Sequence, residues 1–150
     1  MKPEARLQAW GDRFIDRVVV PPMFTTALEG GSQETAGNVR RAAQFMARGG
    51  KFGLPDTMII QGWASDKMER PGFYRLCFIE YKVGRGKLST RQEGVHTALI
   101  RCQVPVFVAR SIPDVLYALI NSAFMLHDNA ENLCREYQER LLASDRKGAA

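Results

Sequence analysis

Asp56, Glu80 and Lys82 are the residues of this chain whose types and spacing best suit chemistry on a phosphate. Glu80 and Lys82 stand two apart at the end of an apolar run, Leu76-Cys77-Phe78-Ile79. Successive strand side chains point to opposite faces, so these two project from the same face of a sheet. An acid and an ammonium there are costly to bury, so their presence asks for a reason. Asp56 opens another strand-like run, Thr57-Met58-Ile59-Ile60-Gln61. If the two strands lie side by side, two carboxylates and one lysine converge on a small volume. That set suits a hard divalent cation, magnesium or manganese, and a phosphodiester. Carboxylate oxygens hold the metal, which polarises the phosphate and acidifies a water, while the lysine orients that water or stabilises charge developing on the phosphorane. The carbonyl of Tyr81 offers a third oxygen donor.

The elements that must position these groups follow from periodicity. Pro3 to Asp16 has helical spacing, with Leu7, Trp10 and Phe14 on one stripe, and Gly11 weakens it without ending it. Arg17-Val18-Val19-Val20 reads as a short β-branched strand closed by Pro21-Pro22, and Met23 to Leu28 as a second extended piece. After the turn Glu29-Gly30-Gly31-Ser32, Ser32 to Ala47 reads as a helix ending at Gly49-Gly50. The strand after Asp56 and the strand from Gly72 to Lys82 are expected to form an antiparallel pair, joined by an exposed basic loop with Trp63, Lys67 and Arg70.

Gly84-Arg85-Gly86-Lys87 is a flexible basic turn leading into a helix that starts at Ser89. Ser89-Thr90-Arg91-Gln92 fits a capping box. Val104 to Ala109 is a strand with Pro105 near its start, which makes Leu76 to Ala109 a strand, helix, strand crossover with a parallel pairing. Ser111-Ile112-Pro113-Asp114 caps a helix carrying Val115, Leu116, Leu119, Ile120 and Phe124. A break near His127-Asp128-Asn129 precedes a last amphipathic helix, at about 129–143, with Leu133, Tyr137 and Leu141 on one stripe and a frayed polar tail from Ser144. His96 and His127 are left outside the site, since a single histidine on such a helix is more often packed or at the surface.

Composition bounds the rest. The 150 residues are read as one domain, 1–150, with a core large enough to need no disulfide. The formal charge is +5 and the pI about 9.4, which favours a polyanionic partner. Cys77, Cys102 and Cys134 lack metal-ligand spacing and read as reduced thiols. No apolar run approaches a signal peptide or membrane span, so a cytoplasmic protein without membrane contact is expected. There is no Walker loop, nucleophile elbow or dinucleotide fingerprint.

Gly53-Leu54-Pro55-Asp56, the strand ending Glu80-Tyr81-Lys82, Gly86-Lys87-Leu88-Ser89-Thr90-Arg91-Gln92, and Val104 to Val115 occur in this order. Together they resemble the VRR-NUC family of the PD-(D/E)XK nuclease superfamily, from about Glu4 to Leu119. The resemblance implies a restriction-endonuclease-like α/β core, a central mixed β-sheet flanked by helices. It implies a magnesium- or manganese-dependent DNA endonuclease of phage or bacterial type, with branched DNA such as Holliday junctions among the substrates. Asp56 and Glu80 become metal ligands, with Lys82, Gln92 and Glu4 completing the catalytic set. Glu4 has a second reading as an acid favoured in a helix's first turn, and Gln92 as half of the capping box. Arg40, Arg41, Arg48, Lys51, Arg85 and Lys87 are candidates for DNA contact, the first four equally readable as a solvated face. Cutting both strands of a symmetric junction implies a homodimer, for which the last helix offers a stripe. The competing reading is a catalytically silent nuclease fold that binds DNA or a replication partner.

Overall fold

The computed structural model describes residues 2–28, 53–62 and 74–148. The expected helix from Ser32 to Ala47 and the loop from 63 to 73 lie outside the described residues, as do Arg40, Arg41, Arg48 and Lys51.

The chain forms α1 (Pro3–Val18), β1 (Met23–Ala27), β2 (Thr57–Gly62), β3 (Tyr74–Tyr81), α2 (Thr90–Arg101), β4 (Val106–Ala109), α3 (Ile112–Asn121) and α4 (Ala130–Gly148). The strands make a mixed sheet in the order β1-β2-β3-β4, flanked by helices. β1 and β2 pair antiparallel, β2 and β3 pair antiparallel from Thr57 opposite Ile79 to Gly62 opposite Tyr74, and β3 and β4 pair parallel. The expected antiparallel pair and the parallel crossover are both present. Their consequence is that the start of β2 and the end of β3 meet at one end of the sheet, between its two inner strands.

The two faces of the sheet differ. Thr57, Ile59, Gln61, Cys77, Ile79 and Tyr81 are fully buried, covered by a layer in which α1, α3 and α4 pack on one another. Alternate residues Met58, Ile60 and Leu76 are half-buried on the opposite face, which also carries Glu80 and Lys82. The period of two in the strands thus sorts core from site.

Four readings from the sequence need correction. Arg17 and Val18 are the last turn of α1, and Val19 makes only an isolated bridge to Leu126. The β-branched run is taken up by α1 as far as Val18 and then pairs by backbone only with Met125 to His127, the Gln61 side chain joining the two segments. Its Nε2 donates to the carbonyls of Val20 at 2.7 Å and Met125 at 3.0 Å, and its Oε1 accepts from Met125 N at 2.7 Å. α3 ends at Asn121, so Phe124 packs in the core from the following loop, and Ile120 faces outward at 57 % exposure. The segment from Ser144 continues as helix to Gly148, held by Arg6, whose Nη1 donates to Ser144 O at 3.0 Å and pairs with Asp145 at 2.8 Å. Finally, the stripe of α4 is satisfied within the chain. Ala130, Cys134, Tyr137 and Leu141 are buried against α1 and α3, with Trp10 meeting Tyr137 edge to face. That helix belongs to the core, and most of its stripe is buried within the chain.

Candidate active site

Asp56 and Glu80 meet where β2 begins and β3 ends. Backbone pairing between these strands stops at Thr57 and Ile79, and the Asp56 carboxylate takes the next position in the ladder, its Oδ2 accepting from Tyr81 N at 2.7 Å. Gly53 makes this approach possible. It has φ +84°, and a Cβ there would lie 2.9 Å from the backbone of Arg91, so the segment before Asp56 packs directly on the first turn of α2. That turn bears Gln92.

Glu80 is fully buried. Its Oε1 accepts from Lys82 Nζ at 2.7 Å and from Gln92 Nε2, while its Oε2 is buried without a protein partner. Burial pushes its pKa up to about 7, against the opposing pull of the Lys82 hydrogen bond. Asp56 is also raised, first by burial, although the Tyr81 N–H and the nearby Lys82 charge favour its ionised form. Lys82 is held between two acids, with Glu4 Oε1 at 3.1 Å on its other side. Burial is the largest single influence and works against its charge, but the hydrogen bonds and charges of Glu80 and Glu4 together outweigh it and its pKa is raised.

Gln92 closes the capping box and also contacts Glu80. Ser89 Oγ accepts from Gln92 N, Gln92 Oε1 accepts from Ser89 N at 2.9 Å, and the amide nitrogen of the same side chain is left to reach Glu80. Glu4 sits in the first turn of α1 and its carboxylate also pairs with Lys82. Arg85 and Lys87 are exposed on the turn beside the site.

Two contributions, from Arg110 and Asp12, escaped sequence reasoning, and His96 is packed, one of the two placements expected of it. Arg110 tethers the basic turn, donating through Nη1 to Gly84 O and Nη2 to Gly86 O, each at 2.8 Å. His96 is buried near Lys82, its Nε2 without a partner and its pKa lowered by burial and by the Lys82 charge. Asp12, half-buried on α1, accepts from Thr57 Oγ1 at 2.9 Å and Tyr81 Oη at 3.2 Å. Its signal was available: Glu4, Gln8 and Asp12 recur every four residues, which lines them along one helix face.

As a home for a cation the site supplies hard oxygen. Among the described residues no group of three or more His, Cys, Asp and Glu side chains could hold a metal ion, so the set is two carboxylates, Asp56 and Glu80. Magnesium ordinarily takes one or two carboxylates and completes its shell with water and substrate phosphate. The partnerless, buried Oε2 of Glu80 fits that demand. A concavity of about 400 Å³ lies elsewhere, lined by Arg17, His127, Leu133, Tyr137 and Arg140 among others, and touches none of these groups.

Compared with known proteins, the chain matches no family model, no curated protein and no solved structure.

Proposed function

We propose that this chain is a magnesium- or manganese-dependent DNA endonuclease with a restriction-endonuclease-like core of the VRR-NUC type. The observation that carries the reading is the meeting of Asp56, Glu80 and Lys82 at adjoining strand ends, with one Glu80 oxygen buried and unpaired. A structural ion pair gains nothing from an orphaned carboxylate oxygen, which costs about 1–3 kcal/mol to leave unsatisfied. A cation ligand repays that cost when the cation binds.

Asp56 and Glu80 would hold the ion, whose chemistry is Lewis-acid polarisation of phosphate and acidification of a water. Gln92 keeps Glu80 oriented through its amide. Lys82, anchored by Glu4 and Glu80, presents a positive charge where negative charge develops on the phosphorane. Arg85 and Lys87 on the tethered turn would hold flanking phosphates without reading sequence. Two copies related by a twofold axis would place two such sites on a symmetric four-way junction, using a surface other than the α4 stripe.

The test is incubation with linear, nicked, flap and four-way-junction DNA, with and without magnesium or manganese. Metal-dependent cleavage is expected, abolished by chelator and by Asp56→Ala or Glu80→Ala, with DNA binding largely retained. Activity that persists in either variant or in excess chelator removes the assignment. Metal-independent DNA binding with no cleavage of any substrate makes the chain a silent binding module.

A further inference from the structure

We propose that Asp12 is a positioning residue that sets the separation of Asp56 and Glu80, an inference that rests on the metal-dependent reading of the site. The polar face of α1 touches the strand ends at three levels. Glu4 reaches Lys82, Gln8 Nε2 lies 3.5 Å from the Asp56 carbonyl, and Asp12 lies deepest. Asp12 alone among these three spans both site strands. Through Thr57 it holds the residue next to Asp56 in β2, and through Tyr81 it holds the residue between Glu80 and Lys82 in β3.

The fit around Tyr81 makes this contact specific. The Tyr81 side chain is fully buried on the sheet face opposite Glu80, and its ring runs against the backbone of α1 at Gly11, where a Cβ would fall 2.4 Å from Oη. The phenol is thereby aimed at Thr57 and Asp12, and Asp12 accepts from both hydroxyls. Burial raises the pKa of Asp12, while the hydrogen bonds from Thr57 and Tyr81 favour its ionised form. A desolvated carboxylate is an expensive way to fasten a helix to a sheet. An apolar contact would fasten the helix as well but would leave the strand ends free to slide by fractions of an ångström. Misplacements on that scale cost rate at a catalytic centre, because reacting groups tolerate little error.

The Tyr81 amide, bonded to Asp56 Oδ2, reports the same geometry without any reaction. In metal-free protein, Asp12→Ala is expected to lose hydrogen-exchange protection at the Tyr81 amide while the amides of Ile59 and Ile79 keep theirs. Calorimetric titration with Mn²⁺ should show weakened binding. Cleavage should fall about tenfold to a hundredfold in kcat with KM for DNA unchanged. Asp12→Asn, which keeps the acceptor oxygen, should recover most of each loss. Tyr81→Phe should reproduce part of it and add nothing to Asp12→Ala. Unchanged Tyr81 protection and Mn²⁺ affinity in Asp12→Ala overturn the proposal, and so does an equal loss of protection across the core, which would make Asp12 a stability residue only. A wild-type protein that neither binds Mn²⁺ nor cuts DNA refutes the nuclease reading and the catalytic purpose given to Asp12, whereas the amide measurement still decides whether Asp12 holds the strand ends.

Discussion

At the scale of residues, the site is a set of groups held against their solvation preferences, and pH should reveal it. Glu80 has its pKa raised from 4.5 to about 7 by burial. A carboxyl raised on folding contributes stability that is fully present below its unfolded value and is lost as pH rises through the folded one. The window for Glu80 is therefore about pH 4.5 to 7, and the shift corresponds to on the order of 3 kcal/mol. Asp12 and Asp56 are raised as well and act in the same direction. His96, lowered by burial and then by Lys82, opposes them, since its contribution is lost as pH falls. In chelator the melting temperature should thus decline toward pH 7.5, and the decline should flatten in Glu80→Gln, which has no charge to expel. Magnesium should raise the melting temperature more at pH 8 than at pH 5, because it favours the ionised carboxylates. Identical pH profiles for wild type and Glu80→Gln would show that Glu80 is not titrating in the folded protein. Asp56, Glu80 and Lys82 were legible in the sequence because an acid and a lysine two apart on an apolar strand break the pattern around them. Asp12 and Arg110 were missed, since the four-residue spacing of Glu4, Gln8 and Asp12 names a helix face without its partner, and an arginine after a strand breaks no local rule. Their partners, Tyr81 and the Gly84 and Gly86 carbonyls, are distant in sequence.

At the scale of elements, periodicity located β2, β3, β4 and the start of α2, since each carries its own pattern and cap. It failed at Arg17 to Val20, where β-branched residues favour a strand but α1 continues to Val18 and leaves only a short bridge to Met125 to His127. For α4 it gave the face to be buried and left open whether this chain or a second copy buries it. A helical stripe gives the direction of burial without the partner, and the partners here, α1 and α3, lie far away along the chain. Truncation after Phe124 therefore bears on folding. It removes Tyr137 and Leu141, worth roughly 2 kcal/mol each in burial, and uncovers Phe14 and Trp10, which pack against them. Against a typical total of about 5–15 kcal/mol, that loss is expected to abolish cooperative unfolding. Circular dichroism melts of the truncated chain decide the matter, and a sharp transition near that of the intact protein would mean that α4 is dispensable.

At the scale of the whole molecule, the question is where the charge of +5 acts. Much of the described basic surface is already committed. Arg6 pairs with Asp145, Arg140 with Glu136, Arg13 lies over Trp10, and Arg110 is spent on the turn from Gly84 to Gly86. These side chains hold structure, so they contribute to the field around the protein more than to direct phosphate contact. Arg85 and Lys87 differ, because the turn that carries them is fixed by Arg110 at the end of β3, beside Lys82. A rigid turn presents two cations at constant distance from the site, which saves the entropy a floppy one would lose on binding. DNA affinity should therefore fall steeply with salt, as bound phosphates release their counterions. Replacing Arg85 and Lys87 together by alanine should lower the slope of log affinity against log salt by about 2, one for each lost contact. Arg110→Ala keeps both cations but frees the turn, so it should weaken binding with a smaller change of slope. Fluorescence anisotropy with a short duplex across a salt series measures all three. A flat dependence in the wild type would mean that the positive charge is no DNA surface, and an unchanged slope in the double variant would move the phosphate contacts away from this turn.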